Sequence, residues 1–466
     1  MRPDRRDLWL LIGAATLARL LLGWALPLGI DESYMVAAGR GGLAWGYFDH
    51  PPISWWMCRV VADLTGSEAA IVVRLPFILL FALSSWLMAC LGREVGGEKA
   101  GFWAALAFNL APVFGVASGS WVLPDGPLDF FLLGAAFCLI RALRSGAWRW
   151  WIGVGLCFGL AMFSKYTAAL TGFGLVLYLL LTPSARIWFR RPRLYVAGLL
   201  AALAFSPVIA WNADNGFASL AFQSGRAAAA TLRPFGPLVV LAGEALFVLP
   251  WIWAGLMLAL WQGLRSEAGV ARLLGWLALP PIVLFCVVAL WSRQVLFHWA
   301  APGYLMLFPV LGAWLADKAW APRVARATAG LLSGVAVLAV LVIRLPVNLP
   351  KDPLLQARNW TPLRDAVAGS DLPVAALSWS DAGKIGIGIG PQRSMAVLNP
   401  DARQFHFRAK PGLGSDVLIV APKRSLDEMR AVYGGMFDNI EEKGRVTVSA
   451  TEFGVFVGRG VRSWPN

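Results

Sequence analysis

A chain of 466 residues that is 58% hydrophobic and only 15% charged, with positive mean hydropathy, is excluded from the ordinary soluble class, where about 25% of residues are charged. Its formal charge of +14 fits arginine-rich loops of a polytopic membrane protein better than a nucleic-acid surface, and its 24 tryptophans fit aromatic belts at bilayer interfaces. The five cysteines show no CxxC or CxH spacing and read as small core residues, neither disulfides nor metal ligands.

In chain order, eleven apolar runs approach the roughly 20 residues that a spanning helix needs: 8–29, 70–91, 101–118, 125–143, 150–164, 166–182, 194–211, 237–261, 272–290, 299–316 and 324–345. The first reads as an uncleaved anchor, because its apolar part is long and no A-x-A site follows. Alternate loops differ in charge. Those containing Arg2, Arg5 and Arg6, Arg93 and Lys99, Arg141 to Arg149, Arg186 to Arg193, Arg265 and Arg272, and Lys318 to Arg326 are rich in basic residues. Those on the other side hold only Arg40, Arg59, Lys165, Arg226, Arg233 and Arg293. This bias predicts a cytoplasmic amino terminus. An odd number of spans then puts the carboxyl terminus outside.

Composition changes after Arg344. LPVNLPKDP is broken by prolines, and beyond it charge is balanced. DLPVAALS, SMAVLN, DVLIVAP and VTVSATEFGVFVG predict strands, and TPLRDAVAG and SLDEMRAVYGGM predict helices. The expected organisation is a transmembrane domain over 1–345 with about 11 spanning helices, and a small extracytoplasmic α/β soluble domain over 346–466. The glycine-rich KIGIGIG at 384–390 lacks the order of a P-loop or dinucleotide turn and reads as a strand or tight loop.

The first external loop, 30–69, opens with DESYMVAAGR and continues to WGYFDHPPISWW. Asp31 and Glu32 follow the first span, where an acid suits a helix amino terminus. Asp49 and His50 share the loop with them, and such a gathering at a membrane surface also suits proton transfer or cation binding. Pro51 holds His50 extended, so the Asp49 and His50 pair is presented on a stiff turn. Trp45, Trp55 and Trp56 read mainly as interfacial packing.

These residues carry a resemblance. The Asp-Glu pair closing the first span, WGYFDHPP, RLPFILL at 74–80, PDGPLDFF at 124–131, GLAMFSKYTAAL at 159–170 and FHWAAPGYL at 297–305 resemble bacterial family 39 glycosyltransferases. That group includes protein O-mannosyltransferases and lipid A aminoarabinose transferases. The resemblance implies an inverting transferase of the GT-C type that takes its sugar from a polyprenyl phosphate and passes it to a lipid, glycan or protein acceptor. It places the catalytic carboxylate at Asp31.

Inversion needs a carboxylate to take or orient the acceptor proton, and a departing lipid phosphate needs cations. His50, Lys165, Arg293 and His298 are the cationic candidates, with Glu32, Tyr47, Asp49, Asp125 and Tyr166 as further donor-site residues. Lys165 also has the ordinary reading of a snorkelling helix-end lysine, and Asp125 that of a turn residue in PDGP. Asp49 and His50 stand where the aminoarabinose branch has a glutamate and a lysine. This departure leaves open both the charge of His50 and the acceptor.

No cofactor is expected. A divalent metal at Asp49 and His50, with His298, is the weaker reading, since three histidines allow no dense ligand set. Ionisable Arg19 and Glu244 fall inside predicted spans, where such groups are costly and often functional. The protein is expected to be a monomer in a bacterial inner membrane, in contact with membrane lipids and with no nucleic-acid partner. A transporter or flippase is the alternative; it should concentrate ionisable groups near the bilayer midplane and carry inverted repeats, and no repeat is visible.

Overall fold

The computed structural model of the chain describes residues 5–226, 231–345, 352 and 354–465. Arg2 and, apart from Leu345 and Asp352, the LPVNLPKDP stretch lie outside the described residues. Fifteen helices come first: α1 (Arg5–Ala25), α2 (Ile30–Gly39), α3 (Ile53–Thr65), α4 (Ala70–Leu110), α5 (Asp125–Ser145), α6 (Trp148–Met162), α7 (Ala168–Leu181), α8 (Pro192–Asp214), α9 (Ala218–Gly225), α10 (Gly236–Val248), α11 (Pro250–Arg265), α12 (Val270–Val288), α13 (Ala301–Leu305), α14 (Phe308–Leu315) and α15 (Ala321–Arg344). The remainder alternates: α16 (Leu363–Ala368), β1 (Val374–Ala376), α17 (Trp379–Ile389), β2 (Met395–Val397), β3 (Val417–Pro422), α18 (Leu426–Tyr433), β4 (Phe437–Val448) and β5 (Thr451–Val461).

Among the described residues six helices, α1, α4, α5, α8, α12 and α15, are long and apolar enough to cross a membrane, and the count reaches eight if each of two bent pairs is one span. The eleven predicted runs are therefore not eleven such helices. Hydropathy registers apolar runs and is blind to bends. α4 carries two predicted runs as arms joined at Gly96 and Gly97, the latter at φ +78°. α6 and α7 have 15 and 14 residues, short of a span. α10 and α11 meet at 112° across Leu249 and Pro250, where proline removes a helical hydrogen bond.

The chain divides into two compact units. Met1–Leu21, Ala44–Ser54 and Leu75–Ser333 form the first; Leu22–Leu43, Trp55–Arg74 and Gly334–Asn466 form the second. Two stretches of the first loop thus group with the C-terminal residues, and the partition is not linear in sequence. The first unit is a helical bundle whose core runs from Phe81 through Phe108, Phe114 and Trp151 to Phe308. Arg19 is buried here. It donates to the Gly115 carbonyl at 2.8 Å and to Asn109 Oδ1 at 2.8 Å, with its guanidinium 4.3 Å from the Phe81 ring centre.

The second unit contains a five-stranded sheet in the order β2-β1-β3-β5-β4. β1 pairs in parallel with β2 and β3, while β5 is antiparallel to both β3 and β4. The four predicted strand segments are present, but β4 begins nine residues earlier than alternation suggested, through acid-rich FDNIEEKGR. The larger difference is KIGIGIG, which belongs to helix α17. Gly383, immediately before that motif, and Gly386 within it let α17 approach α2: a Cβ on Gly383 would stand 2.7 Å from the Tyr34 backbone and one on Gly386 3.1 Å from the Ala37 Cβ. Tyr34 packs edge-on against Trp55 at 5.3 Å and Trp379 at 5.1 Å. Trp55 is fully buried, a core residue of this unit and not the interfacial anchor expected.

Candidate active site

In the first unit, two breaks in the helical pattern place opposite charges together. α5 starts at Asp125, directly after Pro124, whose φ of −67° is already helical. α6 stops at Met162, and the backbone N–H of Lys165 folds back to the Ala161 carbonyl at 3.0 Å before α7 starts at Ala168. Lys165 Nζ donates to Asp125 Oδ1 at 2.8 Å. Both side chains are buried, so this lysine is not snorkelling and this acid is not a free turn residue. One of the three ammonium protons is used on Asp125.

The surroundings are aromatic and polar in equal measure. Tyr166 Oη lies 2.8 Å from Ser219 Oγ, and Asn212 Nδ2 donates to Tyr166 Oη at 3.4 Å. Asn212 Oδ1 accepts from the Leu220 N–H at 3.2 Å, so α8 and α9 are tied together behind Tyr166. Burial raises the Tyr166 phenol above its ordinary range, and the charge of Asp49 adds to the effect. Asp125 lies within electrostatic reach of His298 and His50. Gln223 donates to the backbone carbonyl of Asp49, and Phe48 packs on Phe222 at 4.9 Å. The Tyr47 hydroxyl accepts from the Ala44 N–H at 3.2 Å, which closes the turn leading into Asp49 and His50. Asp49, His50, Asp125, Lys165, Tyr166 and His298 therefore share one neighbourhood.

His298 does not add a cation to it. Burial, followed by the repulsion of Lys165 and Arg226 against the attraction of Asp125, holds its imidazole down at about 4, so the ring is neutral at pH 7. Arg293 is exposed and forms no ion pair among the described residues. The cation that sequence reasoning missed is Arg226. Its guanidinium stacks 4.4 Å from the Trp299 ring centre and its charge reaches His298. Asp129 was missed as well: it is buried one turn beyond Asp125, and its Oδ2 has no partner among the described residues. The i, i+4 spacing within PDGPLDFF was the signal available for it. Glu244 does not face open space. It is buried, with Oε2 accepting from the Tyr304 hydroxyl at 2.5 Å, which in turn accepts from Trp253 Nε1 at 3.0 Å.

In the second unit, α2 carries Asp31 and Glu32 in its first turn. Asp31 is exposed. Glu32 is buried and fully engaged: Arg74 Nε and Nη2 donate to its two oxygens at 2.7 and 2.5 Å, and the Gly29 N–H donates to Oε2 at 2.8 Å. α17 and the residues after it hold the helix. Lys384 Nζ donates to the Leu28 carbonyl at 2.9 Å and to the Arg358 carbonyl at 2.9 Å. The Gln404 N–H donates to Tyr34 Oη at 3.0 Å, and Arg408 Nη1 to the Ala38 carbonyl at 3.0 Å. Burial lowers Lys384 to about 8, with Glu32 opposing the shift and Arg74 reinforcing it.

Among the described residues no three His, Cys, Asp or Glu side chains gather as a metal-binding set. The chemistry on display is that of an enclosed cation with acids, imidazole and phenol around it, and an exposed carboxylate on a tightly anchored helix.

Comparison with known proteins bears on the fold and family. Residues 49–211 match the family described as dolichyl-phosphate-mannose-protein mannosyltransferase. The lipid A galacturonosyltransferase RgtD of Rhizobium johnstonii is 28% identical over 281 residues, which is 59% of this chain and 58% of that relative's length. The crystal structure of ArnT from Cupriavidus metallidurans bound to undecaprenyl phosphate is similar with a TM-score of 0.70 at 16% identity, over 99% of this chain and 100% of that one. The arabinofuranosyltransferase AftD from mycobacteria is similar with a TM-score of 0.53 at 16% identity, over 99% of this chain and 40% of that one. The chain is a multi-pass membrane protein of the GT-C fold with a small C-terminal sheet domain, and the likeness to family 39 glycosyltransferases drawn from its motifs holds.

Proposed function

We propose that this protein is an inverting glycosyltransferase of a bacterial inner membrane that moves a sugar from a polyprenyl phosphate to a lipid acceptor of the lipid A kind on the extracytoplasmic face. The buried Lys165 and Asp125 pair carries the reading. A lysine held at a span boundary with two N–H donors left over is what a departing phosphate requires, because charge-assisted bonds strengthen in an enclosed site. Arg226 supplies the second positive charge. Tyr166, Asp49 and His50 are suited to the hydroxyls of the sugar. RgtD acts on lipid A, and ArnT binds undecaprenyl phosphate, so relatives of both fold and sequence support the donor and acceptor classes.

In the reaction an acceptor oxygen forms the new bond to the anomeric carbon while the bond from that carbon to the phosphate oxygen breaks. The electron pair leaves on polyprenyl phosphate, whose charge Lys165 and Arg226 stabilise. If the acceptor is a hydroxyl, Asp31 takes its proton; if it is a phosphate, Asp31 orients it. The transfer needs no cofactor, and the protein acts as a monomer, with its amino terminus in the cytoplasm and its sheet domain outside.

Two variants separate these roles. Lys165→Ala should weaken donor binding by about tenfold or more. Asp31→Asn should keep donor binding and lose about 10²-fold to 10⁴-fold of transfer. Normal transfer by well-folded Asp31→Asn protein, assayed in liposomes with a purified polyprenyl-phosphate sugar, would sink the catalytic assignment. Mass spectrometry of envelope lipids from a strain lacking the protein would identify sugar and acceptor.

A further inference from the structure

The second unit holds a cleft of about 950 Å³ that none of the residues discussed above as donor-site groups lines. Its walls are the end of α1 around Trp24, the α3 residues Arg59 and Asp63, the end of α15 at Arg344, and Asn359 and Arg364. Two of these walls are the ends of helices apolar enough to span a membrane, so the cleft lies where the chain leaves the bilayer. Trp24, which is 67% exposed, has the interfacial position that tryptophan favours. The Arg344 guanidinium sits 5.4 Å from its ring centre and donates to the Ala25 carbonyl at 2.9 Å.

Charge is unbalanced here. Two carboxylates border the cleft, and both are taken: Glu68 by Arg40 at 2.6 Å and Asp63 by Arg59 at 2.7 Å. Arg344 and Arg364 are both exposed and form no ion pair among the described residues. Asn359 uses its Oδ1 on the Thr361 N–H and hydroxyl, at 3.1 and 2.6 Å, which leaves its amide donors for a guest. Two unpaired guanidiniums and an amide are a donor set for a phosphate, which arginine meets with paired parallel hydrogen bonds. The volume falls in the range of roughly 300–1,000 Å³ typical of ligand sites, and Ile343 and Ile387 give one side an apolar wall. From these observations we infer that the cleft binds the phosphate of an anionic lipid headgroup at the membrane surface. The inference stands apart from sugar transfer and does not require it.

The test uses the full-length protein exchanged into mild detergent, with native mass spectrometry counting phosphatidylglycerol retained against phosphatidylcholine. Arg344→Gln/Arg364→Gln should lower phosphatidylglycerol retention by about tenfold or more, with an unchanged unfolding temperature. Arg323→Gln/Arg326→Gln, the same charge change at the other end of α15, should leave retention as in the wild type. Arg364→Gln alone removes an exposed side chain that forms no ion pair among the described residues, and it should show a partial loss should the double variant fold poorly. Unchanged retention in both Arg364 variants overturns the inference, and so does equal loss in the two double variants. Displacement of the lipid by an equal concentration of inorganic phosphate would also overturn it, because the occupant would then be the free anion.

Discussion

Gly383→Ala opposes two physical effects with different signs. Gly383 lies inside α17 with ordinary helical backbone, so on propensity alone alanine should stabilise the helix by about 0.5–1 kcal/mol. Packing predicts the reverse. The added methyl would sit 2.7 Å from both the N and Cα of Tyr34 and 3.1 Å from the Ser33 carbonyl carbon, against a comfortable carbon separation of about 3.5–4.0 Å. Backbone cannot rotate away as a side chain can, so α2 and α17 must part by close to 1 Å. Such overpacking costs about 1–3 kcal/mol, and here the upper end applies because the bonds from Lys384, Gln404 and Arg408 to α2 all lengthen together. The net loss of about 2 kcal/mol corresponds to an unfolding temperature lower by roughly 4–8 °C. It is read by tryptophan fluorescence of purified protein during heating. Gly334→Ala is the control: a Cβ there meets nothing within 4 Å, and it should match or slightly exceed the wild type. Because Asp31 rides on α2, transfer in Gly383→Ala should fall by up to about 10²-fold. Unfolding of Gly383→Ala at or above the wild-type temperature would refute the packing argument.

Arg74→Met strands Glu32 in a buried site and should cost about 3–5 kcal/mol, while Glu32→Gln/Arg74→Met should regain much of it; denaturation midpoints of the three proteins decide. His298 has a folded value of about 4 against an ordinary 6.5, so the unfolded chain binds the extra proton between these values. The stability tied to its neutral ring is complete above pH 6.5 and is lost as pH falls through about 4, and His298→Asn should lose less over that window than the wild type. For the same reason, the pH profile of transfer between 6 and 8 should not change shape in His298→Asn. Lys384 has a folded value of about 8 against 10.5 unfolded. Below pH 8 the folded state carries the full cost of the buried charge, and this is relieved as pH rises toward 10.5. The wild type should therefore gain stability relative to Lys384→Met across that interval, measured by thermal unfolding at each pH.

Much of the architecture was legible because hydropathy and alternation are local properties. The membrane class, the first-loop motif, the strands at 374, 395 and 417 and the helices at 363 and 426 all follow from windows of ten to twenty residues. What failed was long-range. GIGIG alternates with period two and so resembles a strand, yet Gly386 approaches Ala37 of a helix some 350 positions earlier in the chain and Gly388 the backbone of Trp360. The partner of Glu32 is Arg74, 42 residues on, and no local pattern announces it. Lys165 and Asp125 were picked individually, but their pairing across 40 residues needed the fold. Arg226 was counted among the outer-loop basic residues but not as a site cation, since one arginine beside an alanine-rich run has nothing local to single it out. Histidine at 298 was misjudged as a cation because burial, unlike residue type, cannot be read from the chain.

The anchoring of α2 has a bearing on how the protein is made. The helix is synthesised early, but Lys384, Gln404 and Arg408, which hold it or its lead-in, emerge from the ribosome only some 350 or more residues after it. Until then the segment bearing Asp31 has none of these contacts. Carboxylate presentation is thus deferred until the C-terminal sheet domain is being made, after the spanning helices have been delivered to the membrane.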